Sequence, residues 1–490
     1  MQPGGNAPTS QRDPEKTAPM EGVTFQKSLA AFIVLMTLTF WGIGCQESAP
    51  SGPPPRLFSE EQTQAFAKWV LNEASLNMTK TCPRPVLRGE ALPGKAAPKI
   101  IEVMEGTPET QSCFRLLREK ESQIKKALPY NESKELQDII TACDPVISAL
   151  QEAVRYEDGC SPYLPGVREE ASISPFMRLS EVISWIVRDL WAKGDRKKAL
   201  DLLLDSMRFG QDLSRGGAPD VHLWSAIIGD LHHFLPALEF MLNQPDPIGE
   251  DLLLQLDREM SLLIRTEPHP FSWLRAELVG FSLSVIPPKL VPPEWTYSGR
   301  LKLGKKKDLG PQDTRTDEMS WAFHLLADQK ATAEFEKACP ESQLRLQCYD
   351  NIIALQKRIQ DEKLGTVGIV FNFLFSKDAK AKMGRTMILM FRSLQLIGYD
   401  SFVQREGLLL FRLKALQVHA IYRRIAEVSG TCPGPDDFKK EPLHGAMIDP
   451  FSGKPIVLKQ MGDHKLALTP PTQMLSGQEK TESVVVCPLP

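Results

Sequence analysis

"SPFMRLSEVISWIVRDLWAKGDRKKALDLLLDSMRFGQDLSRGG", residues 174–217, decides the fold class. Phe176, Leu179, Ile183, Ile186, Val187 and Leu190 recur at helical spacing, which marks one apolar face of an amphipathic helix. "AKGDRKKAL" then turns the chain. Gly194 suits a left-handed C-terminal cap and Asp195 suits the next N-cap. Ala199, Leu203, Met207 and Leu213 form the inward face of a second helix, which "SRGGAPD" ends. Leu223, Ile227, Leu231, Phe234, Leu238 and Met241 predict a third helix, and Asp246-Pro247 opens a fourth around Leu253 and Leu256. Such hairpins stack like tetratricopeptide units. No 34-residue self-similarity accompanies them, so the expected fold is mainly α: a helix-hairpin bundle or an irregular α-solenoid.

The same periodicity extends outward. Ser59 and Gln62 form a capping-box signature ahead of Phe66, Trp69, Val70 and Ala74. Thr107-Pro108 starts a helix carrying Cys113 and Leu117. Asp144-Pro145 reads as an N-cap with proline at the first helical position, dividing residues 134–157 into two short helices. Residues 284–318 are dense in Pro, Gly and Lys and read as a long loop. Its basic cluster at Arg300, Lys302 and Lys305–Lys307 is read as solvated charge. Helices resume at 319–338, 341–361 and 381–428. The last stretch changes character: "GTCPGPDD", "DPFSGKPIVLKQ", "HKLALT" and "ESVVVC" are turn signals followed by short β-rich runs. They predict a small C-terminal antiparallel β-module, with Gly453 free to take positive φ in its turn.

The N-terminal region concerns address rather than fold. Residues 28–56 read "SLAAFIVLMTLTFWGIGCQESAPSGPPPR". Ser28 to Gly44 carries no charge over about 17 residues, the lower limit for a span. Lys27 precedes it, and no basic residue follows until Arg56, a bias that leaves the bulk of the chain on the outer side. A short apolar core with a basic flank is also a secretory signal. "GIGC" resembles the bacterial lipobox, in which the cysteine is diacylated and becomes the first mature residue, so Cys45 is the expected lipidation site. An uncleaved anchor is the alternative. A third reading takes "GVTFQKSLAAF" as a prepilin-like start, with Lys27 where that motif has Glu. The resulting organisation is a disordered 1–27, a signal and lipobox segment 28–45, a Pro-rich tether 46–57, a helical domain 58–283, the loop 284–318, a second helical region 319–428 and the β-module 429–490.

Nine cysteines occur in 490 residues. With Cys45 assigned to lipid, eight remain: Cys82, Cys113, Cys143, Cys160, Cys339, Cys348, Cys432 and Cys487. An even number in an exported chain predicts disulfides. Cys339 and Cys348 flank a short connection and are expected to pair. Cys432 and Cys487 are expected to staple the β-module. No CxxC pair or Cys/His cluster has zinc spacing.

"FRLKALQVHAIYRRIAEVSGTCP" followed by "DPFSGKPIVLKQMGDHKLAL" is similar to the C-terminal part of a family of uncharacterised exported bacterial proteins. The matching residues are Arg412, Ala415, Leu416, Tyr422, Gly430, Pro433, Asp449, Pro450, Phe451, Gly453 and Pro455. The helix-to-sheet tail also resembles that of type II secretion pseudopilins. The resemblance implies an envelope location. The calcium loop of pseudopilin tails has no counterpart in "LALTPPTQMLSG", where Asp463 is the one nearby acid, so no calcium is expected.

Signals of catalysis are sparse. His222, His232 and His233 with Asp230 are near in sequence, but their spacing does not converge on a metal. Ser122 and Lys125 match a serine–lysine motif in form but stand in a charged helix face. Glu277, beside Arg275, is read as a structural buried acid. No catalytic residue, metal or cofactor is assigned. Net charge is -3, without the basic field that nucleic acid demands. The expected function is an envelope-anchored lipoprotein serving as a non-enzymatic binding or scaffold component. Its partners would be the membrane, through an N-terminal lipid or helix, and another envelope protein. An enzyme acting on cell-wall or polysaccharide substrates and a pseudopilin-like secretion component are the alternatives.

Overall fold

A long apolar helix near the C-terminus organises the molecule, and the computed structural model shows what lies against it. The model describes residues 60–79, 81–105, 112–117, 119, 134–160, 174–215, 226–227, 229–269, 337–340, 344–355, 357–358, 399–440, 442–462, 465–471 and 482–487. In chain order the elements are α1 (Glu60–Thr79), β1 (Leu92–Lys95), α2 (Ala97–Glu105), α3 (Lys134–Ala153), β2 (Tyr156–Asp158), α4 (Ser174–Ala192), α5 (Arg196–Ser214), α6 (Leu235–Leu242), α7 (Glu250–Thr266), α8 (Tyr399–Ser429), α9 (Leu443–Ala446), β3 (Val457–Gly462), β4 (Lys465–Thr469) and β5 (Ser483–Val486). The fold is mainly helical with a small C-terminal three-stranded antiparallel sheet, as the periodicity predicts.

The α4–α5 hairpin forms where expected. Gly194 has φ +87°, and the N–H groups of Gly194 and Asp195 reach back to the carbonyls of Trp191 and Leu190, the two bonds of a Schellman cap. Asp195 is the N-cap of α5, but its side chain makes no capping bond and instead lies 3.8 Å from Lys198. α5 is buried on nearly every side, polar residues included. Its apolar side meets Phe176, whose ring is 5.6 Å from Phe209 and 6.2 Å from Phe234.

Four local details differ from the sequence reading. α3 runs unbroken through Pro145. Proline removes one backbone bond and clashes with the preceding turn, yet Ile139, Cys143, Val146, Ile147 and Leu150 all bury on one face, and that packing outweighs the local cost. Residues 230–234 wind as a π-turn ahead of α6. α7 begins at Glu250 behind Gly249, three residues after Pro247. β1 and β2, unforeseen in "LPGK" and "YED", pair in parallel. Ser59, residues 106–111, Leu223, 284–318 and 361–398 lie outside the described residues.

α8 is about 46 Å long at 1.5 Å per residue and packs along α7 and α6. One buried pair fixes that arrangement. Arg423, fully buried, donates Nη1 to the carbonyls of Leu242 (2.5 Å) and Gln244 (2.7 Å) and Nη2 to that of Asp246. Its Nε donates to Glu427 at 2.8 Å. Glu427 in turn accepts the N–H groups of Ile248 (3.0 Å) and Gly249 (3.1 Å). The cation caps the negative end of α6 and the anion the positive start of α7, each matched to its helix dipole.

The sheet has order β3-β4-β5, with Leu458 opposite Leu468 and Leu466 opposite Val485. It rests on α8, where buried His419 Nε2 sits 3.2 Å from the carbonyl of Val486. The "DPFSGKP" turn forms as predicted: Gly453 has φ +69°, and the Asp449 carboxylate accepts the N–H of Ser452 at 3.0 Å. The turn also docks the module, since Phe451 is buried and its carbonyl accepts the N–H of Leu346.

Two expectations test this account. Pro145, exposed in mid-helix, should give a more stable protein when changed to alanine, by about 1–2 kcal/mol, because the new N–H restores a helical bond; chemical denaturation of Pro145→Ala measures it. The Cys432–Cys487 bond closes 55 residues, for which chain entropy gives roughly 4 kcal/mol at most. Cys432→Ser should therefore raise hydrogen exchange at 457–462 and 483–486 while α4, α5 and α7 keep their protection.

Candidate functional site

The cysteines come first, because the sequence names them as the functional residues. All eight expected partners are paired: Cys82–Cys160, Cys113–Cys143, Cys339–Cys348 and Cys432–Cys487. Cys113, Cys143 and Cys348 lie in helices, Cys160 follows β2 by two residues and Cys487 follows β5 directly. Four disulfides mark an oxidising, extracytoplasmic compartment. Cys45 lies outside the described residues, and of the nine cysteines in the chain the other eight are taken up by these four pairs. Among the described residues two groups resemble metal sites in proximity alone: His269 with Cys339 and Cys348, and Asp158 with Cys82 and Cys160. In both the sulfurs are bonded to each other, so no thiolate is available to ligate. Asp158 serves the backbone instead, accepting the N–H groups of Cys82 (2.8 Å) and Cys160 (3.1 Å).

The second site is a buried polar seam that sequence reading missed. Asp201, Asp205, Arg208 and Asp212 follow one another at helical spacing on α5, and Arg215 is its C-cap. Such a stripe reads as a solvated face. Here the segment 82–88 and helix α7 cover it. Arg84 pairs with Asp212, both buried, and also donates to the carbonyls of Tyr156 (3.0 Å) and Ala153 (2.6 Å). Arg88 bonds Asp205 at 2.8 Å and also pairs with Glu259. Gln255 bridges Asp201 and Glu259 at 2.7 and 3.0 Å. Burial raises the Asp205 carboxyl, with Arg88 opposing and Glu259 adding to the rise.

The seam continues into a group of acids at the end of α7. Gln211 Nε2 donates to Glu267 at 2.7 Å. Arg345 donates Nε to Glu406 (2.8 Å) and Nη2 to the carbonyls of Glu267 (2.8 Å) and Pro268 (3.3 Å). Burial pushes Glu406 up to about 7, Arg345 pulling it down and Glu267 adding to the rise. Asp230, buried in the π-turn, is raised well above the carboxylate range by burial and then by Glu267. Neither Asp230 Oδ1 nor Glu406 Oε2 receives a hydrogen bond. A protonated carboxyl tolerates this better than an ionised one. Of the residues singled out with Asp230, His232 is exposed and His233 half-buried. His222, Glu277, Ser122, Lys125, Asp463 and the basic cluster at 300–307 lie outside the described residues.

Arg84, Arg215, Arg345 and Arg423 each donate to a carbonyl at or just past a helix end. Among the described residues no helix is long and apolar enough to cross a membrane; residues 28–44 are not among them. Comparison with protein-family models, curated proteins and solved structures finds no match to any of the three.

Glu406 yields a pH dependence. Its folded value of about 7 stands above the 4.5 of a free glutamate, so the folded state holds an extra proton between those values. Stability contributed by that proton is full at pH 4.5 and below and is lost as pH rises towards 7, by about 3 kcal/mol. Glu406→Gln should keep its bond to Arg345 and remove that slope. Denaturation profiles of wild type and variant from pH 4.5 to 8 should diverge in this window and run parallel above it.

Proposed function

We propose that the chain is an exported lipoprotein, held to a membrane through Cys45, whose helical body acts outside the cytoplasm as a non-enzymatic binding or scaffold component for another envelope protein. One observation carries the reading: the eight cysteines of the folded body pair among themselves, leaving over the one that ends the charge-free run. Such a chain must fold where disulfides form, and a lone thiol behind an apolar run suits thioether attachment of lipid. The likeness of the "DPFSGKP" tail to exported bacterial proteins points the same way. The Pro-rich segment after Cys45 would set the body off the surface as a stiff spacer. The ionic seam favours a scaffold over a hydrolase, since its perturbed acids are buried and its arginines are spent on acids and helix-end carbonyls.

Wild-type protein should fractionate with membranes and give an intact mass that begins at Cys45 and includes acyl chains. Cys45→Ser should be released or retain its leader. A wild-type mass with residues 28–44 attached to an unmodified Cys45 would overturn the reading. Crosslinking in intact envelopes should then capture a protein partner on the helical body.

A further inference from the structure

Two of the four disulfides are shut away: Cys113, Cys143, Cys339 and Cys348 are each 0% exposed. His269 lies close to both sulfurs of the Cys339–Cys348 bond, but a reagent in solution meets that bond only after local opening. Cys82–Cys160 and Cys432–Cys487 differ. Each joins a half-buried cysteine to one that is 4% exposed. A thiol in solution therefore meets the Cys82–Cys160 bond from the Cys82 side, where Thr81 and Pro83 are both exposed.

An acid sets that bond apart. A carboxylate oxygen of Asp158 lies within 4.8 Å of both Sγ atoms. The N–H groups of Cys82 (2.8 Å) and Cys160 (3.1 Å) hold it there, both donating to Oδ1. Among the described residues no acid or histidine stands in this relation to Cys432–Cys487. The field of Asp158 also reaches Arg84, whose guanidinium is bonded to Asp212, Ala153 and Tyr156. Cleavage by a dithiol begins when its thiolate bonds to Cys82 Sγ. The Sγ–Sγ bond breaks, and its electron pair leaves on Cys160 Sγ, which then takes up a proton. The second thiol of the reagent displaces Cys82 Sγ in the same way. The cystine gains two electrons and two protons, and the dithiol becomes a cyclic disulfide. In the first step negative charge passes over both protein sulfurs. Asp158 opposes this twice, by repelling the incoming anion and by destabilising the thiolate that departs.

We propose that Asp158 is an electrostatic guard of the Cys82–Cys160 disulfide, slowing thiol exchange on the side where the bond meets solvent. The guarded bond is the one that fixes the 82–88 segment, and with it Arg84 and Arg88, to the seam. Small thiols in the surroundings thus open the two accessible bonds in an order set by charge as well as by exposure. The effect is on rate. An ordinary cysteine thiol is largely protonated at neutral pH, so Asp158 leaves the balance between cystine and dithiol where it is. This role is independent of the one proposed for the whole chain.

The test treats the full chain with dithiothreitol, quenches by alkylation and maps each bond by mass spectrometry. Asp158→Asn keeps an oxygen for the two N–H groups and removes the charge. It should speed opening of Cys82–Cys160 about five- to tenfold. The rate at Cys432–Cys487 should not change, nor should the equilibrium of Cys82–Cys160 in a dithiol–disulfide buffer. An unchanged rate at Cys82–Cys160 would overturn the guard. So would a rise at both bonds or a shifted equilibrium, either of which marks a structural role. If the variant does not fold, wild type decides. Cationic cysteamine should open the bond faster than anionic mercaptoethanesulfonate, each rate taken relative to a neutral model disulfide, and equal relative rates refute the guard.

Discussion

The clamp made by Arg423 and Glu427 is the constraint on which the helical body depends. A helix end leaves carbonyls or N–H groups without partners in the helix, and the α6–α7 connection presents both kinds within a few residues, on a largely exposed stretch of chain laid over buried Arg423. A cation and an anion one turn apart on α8 satisfy them together. Burial opposes ionisation of Glu427, but Arg423 and the two N–H groups overcome it and hold the carboxyl below its usual range. Taking the Arg423 cation from water costs several kcal/mol, which this full set of bonds offsets. Once it forms, the direction of α7 along α8 is set, and so is the rotation of α8 that turns His419 towards the terminal strand.

The same solution recurs. Arg84 reaches Ala153 at the end of α3, Arg215 reaches Thr266 at the end of α7, and Arg345 takes the two carbonyls that follow. The planar guanidinium has five donors and no acceptor, so one side chain can cap a helix and pair with an acid at once. An interior assembled this way is specified by hydrogen-bond geometry as much as by apolar packing.

What was legible in the sequence was whatever depends on neighbours along the chain. The apolar stripes of α4 and α5, the cap at Gly194 and the turn at Gly453 are local patterns, and the structure places them where their spacing says. The Cys339–Cys348 and Cys432–Cys487 pairs were readable because turn residues adjoin them. The seam was not, because its partners are remote: Arg88 and Asp205 are 117 residues apart, and Arg84 and Asp212 are 128. A polar stripe on α5 has the same spacing whether water or another segment covers it. Pro145 misled for the converse reason, since tertiary packing on α3 overrode a local stop signal. Asp230 carried no signal, because its burial follows from a π-turn that no residue pattern announces.

Disulfides and ionic seam are two parts of one device. The Cys82–Cys160 bond, with Asp158 holding the backbone of both cysteines, fixes the chain two residues before Arg84 and six before Arg88. Those arginines supply the charge that Asp212, Asp205 and Glu259 require. A free segment 82–88 would have to give up its chain entropy to lay two guanidiniums on α5, whereas a tethered one has already lost much of it. Without the tether Asp205 and Asp212 would lose the guanidiniums that bond them directly. The oxidising compartment that the cystines mark is therefore also the condition under which the interior charges of this protein come into balance.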